Sequence, residues 1–203
     1  MKNKRVIALS VTGIAIGAIG VSAAIFTSTN SSDSNSSAPT TNSIAASTSP
    51  SEIPLDTPQE ISSASTTEEL LVYLIEEEKL AHDVYTVLGD AWGGNTFTNI
   101  LSSETTHQDQ VLSLLSSYGI ADPRSSAVGV FVNPELQALY DQLIAQGMQS
   151  RTEAYKVGVL IEETDIADLT VAINSSSDQA IVNTLNKLLS ASQRHLSTFS
   201  KKL

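Results

Sequence analysis

The sequence predicts an all-α protein whose folded part is a four-helix bundle with a crossover that contains one short extra helix. Three observations support this prediction. Apolar residues recur at steps of three and four over four long segments within residues 67–203. Capping residues, glycine or proline bound these segments. No stretch alternates apolar and polar residues as a half-buried strand does.

Residues 1–26 predict an export segment. Lys2, Lys4 and Arg5 precede an uncharged, mostly apolar run, which is the pattern of a secretory signal peptide or an N-terminal membrane anchor. Residues 21–23 fit a cleavage site, but the run is also long enough to span a bilayer if it is not cut. We therefore expect a secreted or cell-surface protein whose N-terminal segment engages the membrane at least during export.

Residues 27–66 predict a disordered linker. The segment is rich in Ser, Thr, Asn, Ala and Pro, so it cannot bury enough apolar area to offset the entropy of ordering. Asn30 and Asn35 each begin an Asn-Ser-Ser acceptor pattern for N-linked glycans, although a plain hydrophilic spacer explains the composition equally well. The chain has no Cys, which excludes disulfides, thiolate metal ligands and a lipid-modified cysteine.

Residues 67–203 have the usual size of one domain with one core. They contain 18 acidic and 8 basic residues, which gives this part of the chain a net charge of −10. The sequence has no basic patch, so we expect no nucleic acid and no anionic membrane surface as a partner of the domain. An acidic domain attracts cations. In many proteins, however, a net negative charge only keeps the protein soluble.

The first long helix is predicted to begin at Thr67 and to end in the turn over residues 90–95. Glu78 falls inside its apolar stripe, four residues after one leucine and seven before a tyrosine. The neighbouring acids Glu76 and Glu77 are expected to lie off that stripe. One carboxylate of this helix is therefore predicted to face the core.

The second long helix is predicted over about residues 96–118, with Gly119 as its C-terminal cap. Glu104 and His107 are three residues apart, so both side chains leave the same helical face, which is otherwise apolar. Burying an unpaired charge costs several kcal/mol. A metal ion is the group that most often compensates the buried charge of a glutamate and histidine pair.

A short helix is predicted from the Asn-Pro-Glu start at residues 133–135 to Gly147, in a crossover between long helices. Ser150 has capping-box spacing and begins the third long helix. Glu162 occupies an apolar position of that helix. Asp165 lies one turn further, near the edge of the same stripe.

The last long helix is predicted to be capped at residues 177–178. His195 lies in its apolar stripe, and Ser192 stands one turn before it. The four long helices thus each place a metal-competent side chain near mid-helix. Carboxylates and imidazoles from four helices are the ligands of a two-metal centre in a bundle, and they suit iron or manganese.

Taken singly, each of these polar residues is more often solvated or internally hydrogen-bonded, because neutral buried histidines are ordinary. Their coincidence on four helices is harder to explain in this way, since a marginally stable domain tolerates few uncompensated buried polar groups. The coincidence therefore favours a metal site over four unrelated side chains.

The segment from Glu78 to Tyr85 resembles the E-x6-Y motif on the first helix of rubrerythrins and other ferritin-like proteins. The segment from Glu104 to His107 resembles the E-x-x-H of their second helix. The whole folded part is also similar to a ferritin-like family classed as a domain of unknown function. The residues that carry this similarity are 76–78, 131–136, 162–166 and 195–196.

The resemblance implies a ferritin-like up-and-down bundle with a di-iron carboxylate site that binds two iron ions, with manganese as the alternative. It implies the following metal ligands: Glu78, Glu104, His107, Glu162 and His195. It also implies a catalytic role for Tyr85, which would hydrogen-bond a ligand or be oxidised itself. His82 stands where rubrerythrins commonly carry Arg, and we expect it near the ligands or at the surface.

This sequence departs from the family pattern on the last helix, where Ser192 stands in place of the glutamate of E-x-x-H. One carboxylate of the expected set is therefore missing. Asp165 would replace it by forming an E-x-x-D pair with Glu162. Without Asp165, the site would bind one metal ion, or two ions weakly.

The leading functional hypothesis is an exported metalloprotein that uses iron or manganese to oxidise ferrous iron or to reduce peroxide. The absence of Cys removes the thiolate-bound iron through which electrons enter rubrerythrins. A second hypothesis is a cell-surface module that binds or sequesters metal without turnover, and a third is a hydrogen-bonded network that fixes helix register. An oligomer is compatible with all three.

Two hydrolase hypotheses are weaker. Ser192 and His195 share a helix face, but no nucleophile elbow or oxyanion loop accompanies them. Glu78 and Glu104 would supply the paired carboxylates of a glycosidase, yet a small helical domain with few aromatic residues offers little surface for stacking a sugar.

Overall fold

The computed structural model describes residues 65–203, where it contains five helices and no strand. The helices are α1 (Thr67–Trp92), α2 (Asn95–Ser117), α3 (Pro134–Gly147), α4 (Arg151–Ser175) and α5 (Gln179–Ser200). The all-α prediction and the short crossover helix are confirmed. Within the described range, none of the helices has the length and apolar character needed to cross a membrane.

Two predictions concern residues outside the described range. The signal peptide or anchor over residues 1–26 lies wholly outside it, and so does the linker except for its last two residues. Both stay predictions from the sequence.

The helix ends follow the capping signals in the sequence. Thr66 forms a capping box with Glu69 at the start of α1, and Ser150 accepts a hydrogen bond from the Glu153 amide at the start of α4. Asp178 caps α5 through its side chain. The predicted turn after α1 is shorter than expected, because two glycines with positive φ reverse the chain within residues 93–94.

The four long helices pack as two hairpins, α1 with α2 and α4 with α5. Contacts of α2 with α5 and of α1 with α4 join the two hairpins. The short helix α3 lies across α1 and α4. These contacts are those of the predicted bundle with its crossover, and they give the four long helices a common interior.

The interior consists of two apolar clusters separated by a polar layer. One cluster includes Tyr85, Phe97 and Phe199, and the other includes Leu74 and Leu185. Along each long helix, buried polar residues fall between the positions that enter the two clusters, and only Asp83 of α1 lies among residues of a single cluster. Apolar packing therefore closes the polar layer from above and below.

Glu76 and Glu77, which the sequence places off the apolar stripe of α1, are nevertheless buried. Glu76 is 1% exposed and Glu77 is 7% exposed. The reason is that α1 is covered on several sides, by α2, by α4, and by α3 with the segment that precedes it. A single apolar stripe cannot show contacts made by the other faces of a central helix.

Polar side chains of α1 anchor the crossover segment before α3. The Glu76 carboxylate accepts hydrogen bonds from the backbone amides of Val132 and Asn133, at 2.7 and 2.8 Å. Asp83 forms a buried ion pair with Lys79 and accepts a hydrogen bond from the Gly129 amide at 2.9 Å. These bonds satisfy backbone groups of a segment that has no helix or strand partners of its own.

Candidate metal centre

The carboxylate of Glu104 lies between two histidines at the centre of the polar layer. Its Oε2 atom is 3.0 Å from Nδ1 of His107, and its Oε1 atom is 2.9 Å from Nδ1 of His195. The rings of the two histidines stack with centroids 5.6 Å apart. One carboxylate therefore presents a different oxygen to each imidazole.

A second carboxylate completes a group of three around each histidine. Oε2 of Glu78 is 3.1 Å from Nδ1 of His107, and Oε1 of Glu162 is 3.5 Å from Nδ1 of His195. In each group, one potential ligand atom per residue lies within 4.8 Å of the others. We call Glu78, Glu104 and His107 the first triad, and Glu104, Glu162 and His195 the second triad.

Several ligand atoms of the triads have no hydrogen-bond partner among the described residues. They include Oε1 of Glu78, Oε1 of Glu104 and Nδ1 of His195. The last two atoms are close enough for a hydrogen bond but are not aligned for one. Buried polar atoms are normally paired. A cation in each triad would satisfy these atoms.

The carboxylates and imidazoles of the triads shift one another's pKa values. Burial alone would raise the pKa of Glu104, but its close contacts with the imidazoles of His107 and His195 outweigh burial and lower the pKa to about 2. Burial works against protonation of the histidines, yet the neighbouring carboxylates raise the pKa of His107 to about 11 and that of His195 to about 9. Without a metal ion, the protein is therefore expected to hold protons on both imidazoles.

Tyr85 lies beside the second triad. Its hydroxyl donates a 2.7 Å hydrogen bond to Oε1 of Glu162, and its ring packs against Phe97 and Phe199. Burial, followed by the charge of Glu162, raises the pKa of Tyr85 well above its ordinary value. The phenol therefore keeps its proton and orients the carboxylate.

Asp165 is buried next to the triads but belongs to neither of them. Burial and then the charge of Glu162 raise the pKa of Asp165 to about 7. Its Oδ1 atom has no hydrogen-bond partner among the described residues. Ser192 is also buried, and its hydroxyl donates to the backbone carbonyl of Leu188 at 3.0 Å. The side chain of Asp165 thus faces the cavity, and the hydroxyl of Ser192 contacts both its own helix and Asp165.

A cavity reaches the triads from the side of α3. Its empty volume is about 430 Å³, including the opening to solvent. Leu139 of α3 and Leu160 of α4 line it and are half-buried, which places the opening between these helices. The inner wall carries five carboxylates: Glu77, Glu78, Glu104, Glu162 and Asp165.

Sequence reasoning missed two buried acids of this region, Glu77 and Asp168. The hydroxyl of Tyr73 donates to Asp168 at 3.3 Å, and both acids are at least nine-tenths buried. One signal was available, because Asp168 continues the step of three that joins Glu162 to Asp165. Such a run places acids along one side of a helix.

His82 lies away from the triads. Its side chain is 28% exposed, and Nδ1 is 3.2 Å from Oδ1 of Asp83. The two residues line an open polar cleft that also includes Arg124. The structure therefore places His82 at the surface, which is one of the two expected positions.

Comparisons with known proteins agree with this description of a single helical domain. The uncharacterized protein MJ0754 of Methanocaldococcus jannaschii is 42% identical over 134 residues, which cover 66% of this chain and 72% of that protein. The crystal structure of hypothetical protein MJ0754 matches with a TM-score of 0.67 and 40% identity, covering 72% of this chain and 83% of that one.

Residues 67–203 match the sequence profile of a family described as an uncharacterized protein domain. This range includes all five helices and every residue of the two triads. The chain therefore belongs to the DUF2202 family.

Proposed function

We propose that the domain is a ferritin-like metalloprotein that binds two ions of iron or manganese in the polar layer. One observation carries the proposal: Glu104 offers one oxygen to each of two buried triads. A shared carboxylate is the usual bridge between neighbouring cations in helical bundles. The proposed ligands are Glu78, Glu104, His107, Glu162 and His195, with Asp165 in place of the carboxylate missing at Ser192.

The donor atoms fit these metals. Carboxylate oxygens with one imidazole per triad suit Mn²⁺ and Fe²⁺, which prefer oxygen and nitrogen ligands. The buried atoms without hydrogen-bond partners also favour an ion over a purely hydrogen-bonded network. Ion binding requires deprotonated imidazoles, so it would release the protons that the histidines hold in the metal-free protein.

The ferritin-like part of the proposal rests on the E-x6-Y and E-x-x-H motifs and on the two helix hairpins joined by a crossover. When bound, two such ions would supply the oxidation of ferrous iron by dioxygen or by peroxide, which is reduced in turn. The protein contributes the dry interior and the positions of the ligands. Tyr85 orients Glu162 by donating its hydroxyl proton across an oxygen-to-oxygen distance of 2.7 Å, which makes Tyr85 the candidate catalytic residue.

The decisive experiment is elemental analysis of the full chain purified without chelator. We expect about two ions of iron or manganese per chain. The double variant Glu104→Ala/His107→Ala should lose both ions, because it removes the shared carboxylate and one imidazole. Glu163→Gln is the matched control, since Glu163 is exposed beside Glu162 on α4. A parent protein without bound metal after supply of both ions would refute the proposal.

Sequestration without turnover is the alternative for the same site. Ferrous iron added to the metal-free protein separates the two functions. Oxidation that depends on dioxygen or peroxide, and that the double variant lacks, supports oxidative chemistry. Binding of ferrous iron without its oxidation supports sequestration.

We also propose that the protein is exported, on the basis of the basic and apolar pattern of residues 1–26. Mass spectrometry of the N-terminus after expression tests this proposal. Cleavage near residue 23 indicates a secreted protein, and an intact N-terminus in the membrane fraction indicates an anchor. An intact chain outside the membrane fraction and inside the cell refutes export.

A further inference from the structure

One serine of α2 lies outside the triads but contacts the imidazole of the first triad. The hydroxyl oxygen of Ser103 is 3.3 Å from Nε2 of His107. Ser103 is half-buried, whereas His107 is 2% exposed. Residues four apart on a helix lie on the same face. The serine therefore reaches the ring nitrogen that does not face the carboxylates of the triad.

Neighbouring hydroxyl groups of α2 point the opposite way along the helix. Thr105 and Thr106 each donate a hydrogen bond to the backbone carbonyl four residues earlier, at 3.1 Å. This is a common local contact of a hydroxyl side chain within a helix. Ser103 instead turns toward a side chain four residues later. Its hydroxyl is therefore placed on the imidazole and not on the backbone of its own helix.

The two ring nitrogens of His107 face different groups. Nδ1 is 3.1 Å from Oε2 of Glu78 and 3.0 Å from Oε2 of Glu104, so it is the nitrogen that an ion in the first triad would take up. A neutral imidazole carries one proton, and binding through Nδ1 requires that this proton be on Nε2. The hydroxyl of Ser103 can accept a hydrogen bond from Nε2, because a hydroxyl accepts as well as donates.

The second triad has no equivalent serine on its own helix. The position four residues before His195 is Ala191, whose side chain has no polar atom. Ser192, the next residue, donates its hydroxyl to the backbone carbonyl of Leu188 at 3.0 Å. A serine four residues before the histidine is thus a feature of the first triad and not of the second.

We propose that Ser103 is a positioning residue for the first triad: its hydroxyl accepts the Nε2 proton of His107 and keeps Nδ1 free for the ion. The inference rests on the proposed function, since it presumes that the triads bind metal. Hydrogen bonds of this kind fix the tautomer and the ring orientation of a metal-binding histidine. Ser103 does not touch the ion, so its effect passes through the imidazole.

The test titrates the metal-free full chain with Mn²⁺ in a calorimeter. Ser103→Ala should weaken binding of one ion by about tenfold and leave the other near its parent affinity, because His107 belongs to the first triad alone. Ser103→Thr keeps the hydroxyl and should bind both ions as the parent does. Ser102→Ala is the matched control, since it makes the same chemical change at an exposed neighbouring position of α2, and it should also bind as the parent does.

Nitrogen-15 NMR of the full chain loaded with Zn²⁺ examines the imidazole directly. Zn²⁺ is diamagnetic and takes the same oxygen and nitrogen ligands. We expect Nδ1 of His107 to bind the ion and Nε2 to carry the proton. This proton should exchange with water faster in Ser103→Ala than in Ser102→Ala, because only the first variant removes its acceptor.

Parent affinity for both ions in Ser103→Ala overturns the inference. Equal weakening in Ser102→Ala or in Ser103→Thr also overturns it, because the effect would then come from the helix and not from the hydroxyl. Binding of the ion through Nε2 has the same consequence. A parent chain that binds neither Mn²⁺ nor Fe²⁺ refutes the proposed function and the inference with it. The other outcomes arise only in a parent that binds metal, so the two failures are distinguishable.

Discussion

At the scale of single residues, the site depends on how a few carboxylates are shared. Glu104 forms ion pairs with both histidines, whereas Glu78 and Glu162 each pair with one of them. Asp165 stands apart from the triads but faces the same cavity. The unequal roles of these acids allow each one to be tested separately.

Asp165→Asn tests whether this side chain replaces the carboxylate missing at Ser192. Asparagine keeps the shape but lacks the charge, so we expect affinity for at least one of the two ions to fall by about tenfold or more. Titration of the metal-free variant with Mn²⁺ measures the effect. Two ions bound with parent affinity would show that Asp165 is not a ligand.

Tyr85→Phe separates the hydroxyl of the tyrosine from its ring. The phenylalanine ring preserves packing against Phe97 and Phe199, but Glu162 loses its hydrogen-bond donor. We expect a loss of about 2 kcal/mol in the free energy of unfolding of the metal-free protein. Urea denaturation measures it. Unchanged stability would mean that water replaces the hydroxyl without loss.

At the scale of elements, α1 organises the domain. Its middle turns place Glu78 in the first triad, Glu77 on the wall of the cavity and Glu76 under the crossover segment. Three consecutive acids thus face three different surroundings. This is why the helix contains more buried charge than its apolar stripe indicates.

Glu76→Gln tests the anchoring of the crossover segment. The glutamate accepts two backbone amides, and glutamine can accept only one of them, because its amide group is a donor. We expect a loss of about 2 kcal/mol in the free energy of unfolding, measured by urea denaturation. Metal content should persist, since Glu76 does not contact a triad. Glu163→Gln is the control for the same chemical change at an exposed position.

At the scale of the whole molecule, the polar layer makes the stability of the metal-free protein depend on pH. Folding raises the pKa of Asp165 to about 7, of His195 to about 9 and of His107 to about 11. The folded state therefore binds more protons than the unfolded state between about pH 4 and pH 11. Its stability must fall as pH rises through this window.

We expect the metal-free chain to melt at a lower temperature at about pH 9 than at about pH 6. Bound Mn²⁺ should raise the melting temperature more at the higher pH, because it replaces protons that the site has already lost. Calorimetry with and without the ion checks both statements. The depressed pKa of Glu104 acts in the opposite direction, but only below about pH 4.5. A melting temperature that rises with pH would contradict the expected coupling.

The sequence by itself determined the helical class, the caps, the crossover helix and the inward direction of Glu78, Glu104, His107, Glu162 and His195. These features depend on local spacing, which the order of residues states directly. Periodicity on each helix was sufficient to place these side chains on its buried face.

Only the tertiary structure decided which inward side chains meet, that Glu104 stands between the two histidines, and that Glu76, Glu77 and Asp168 are also buried. The physical reason is that burial of a side chain on a central helix depends on every element packed around it. Those neighbours are distant in sequence, so no local pattern records them.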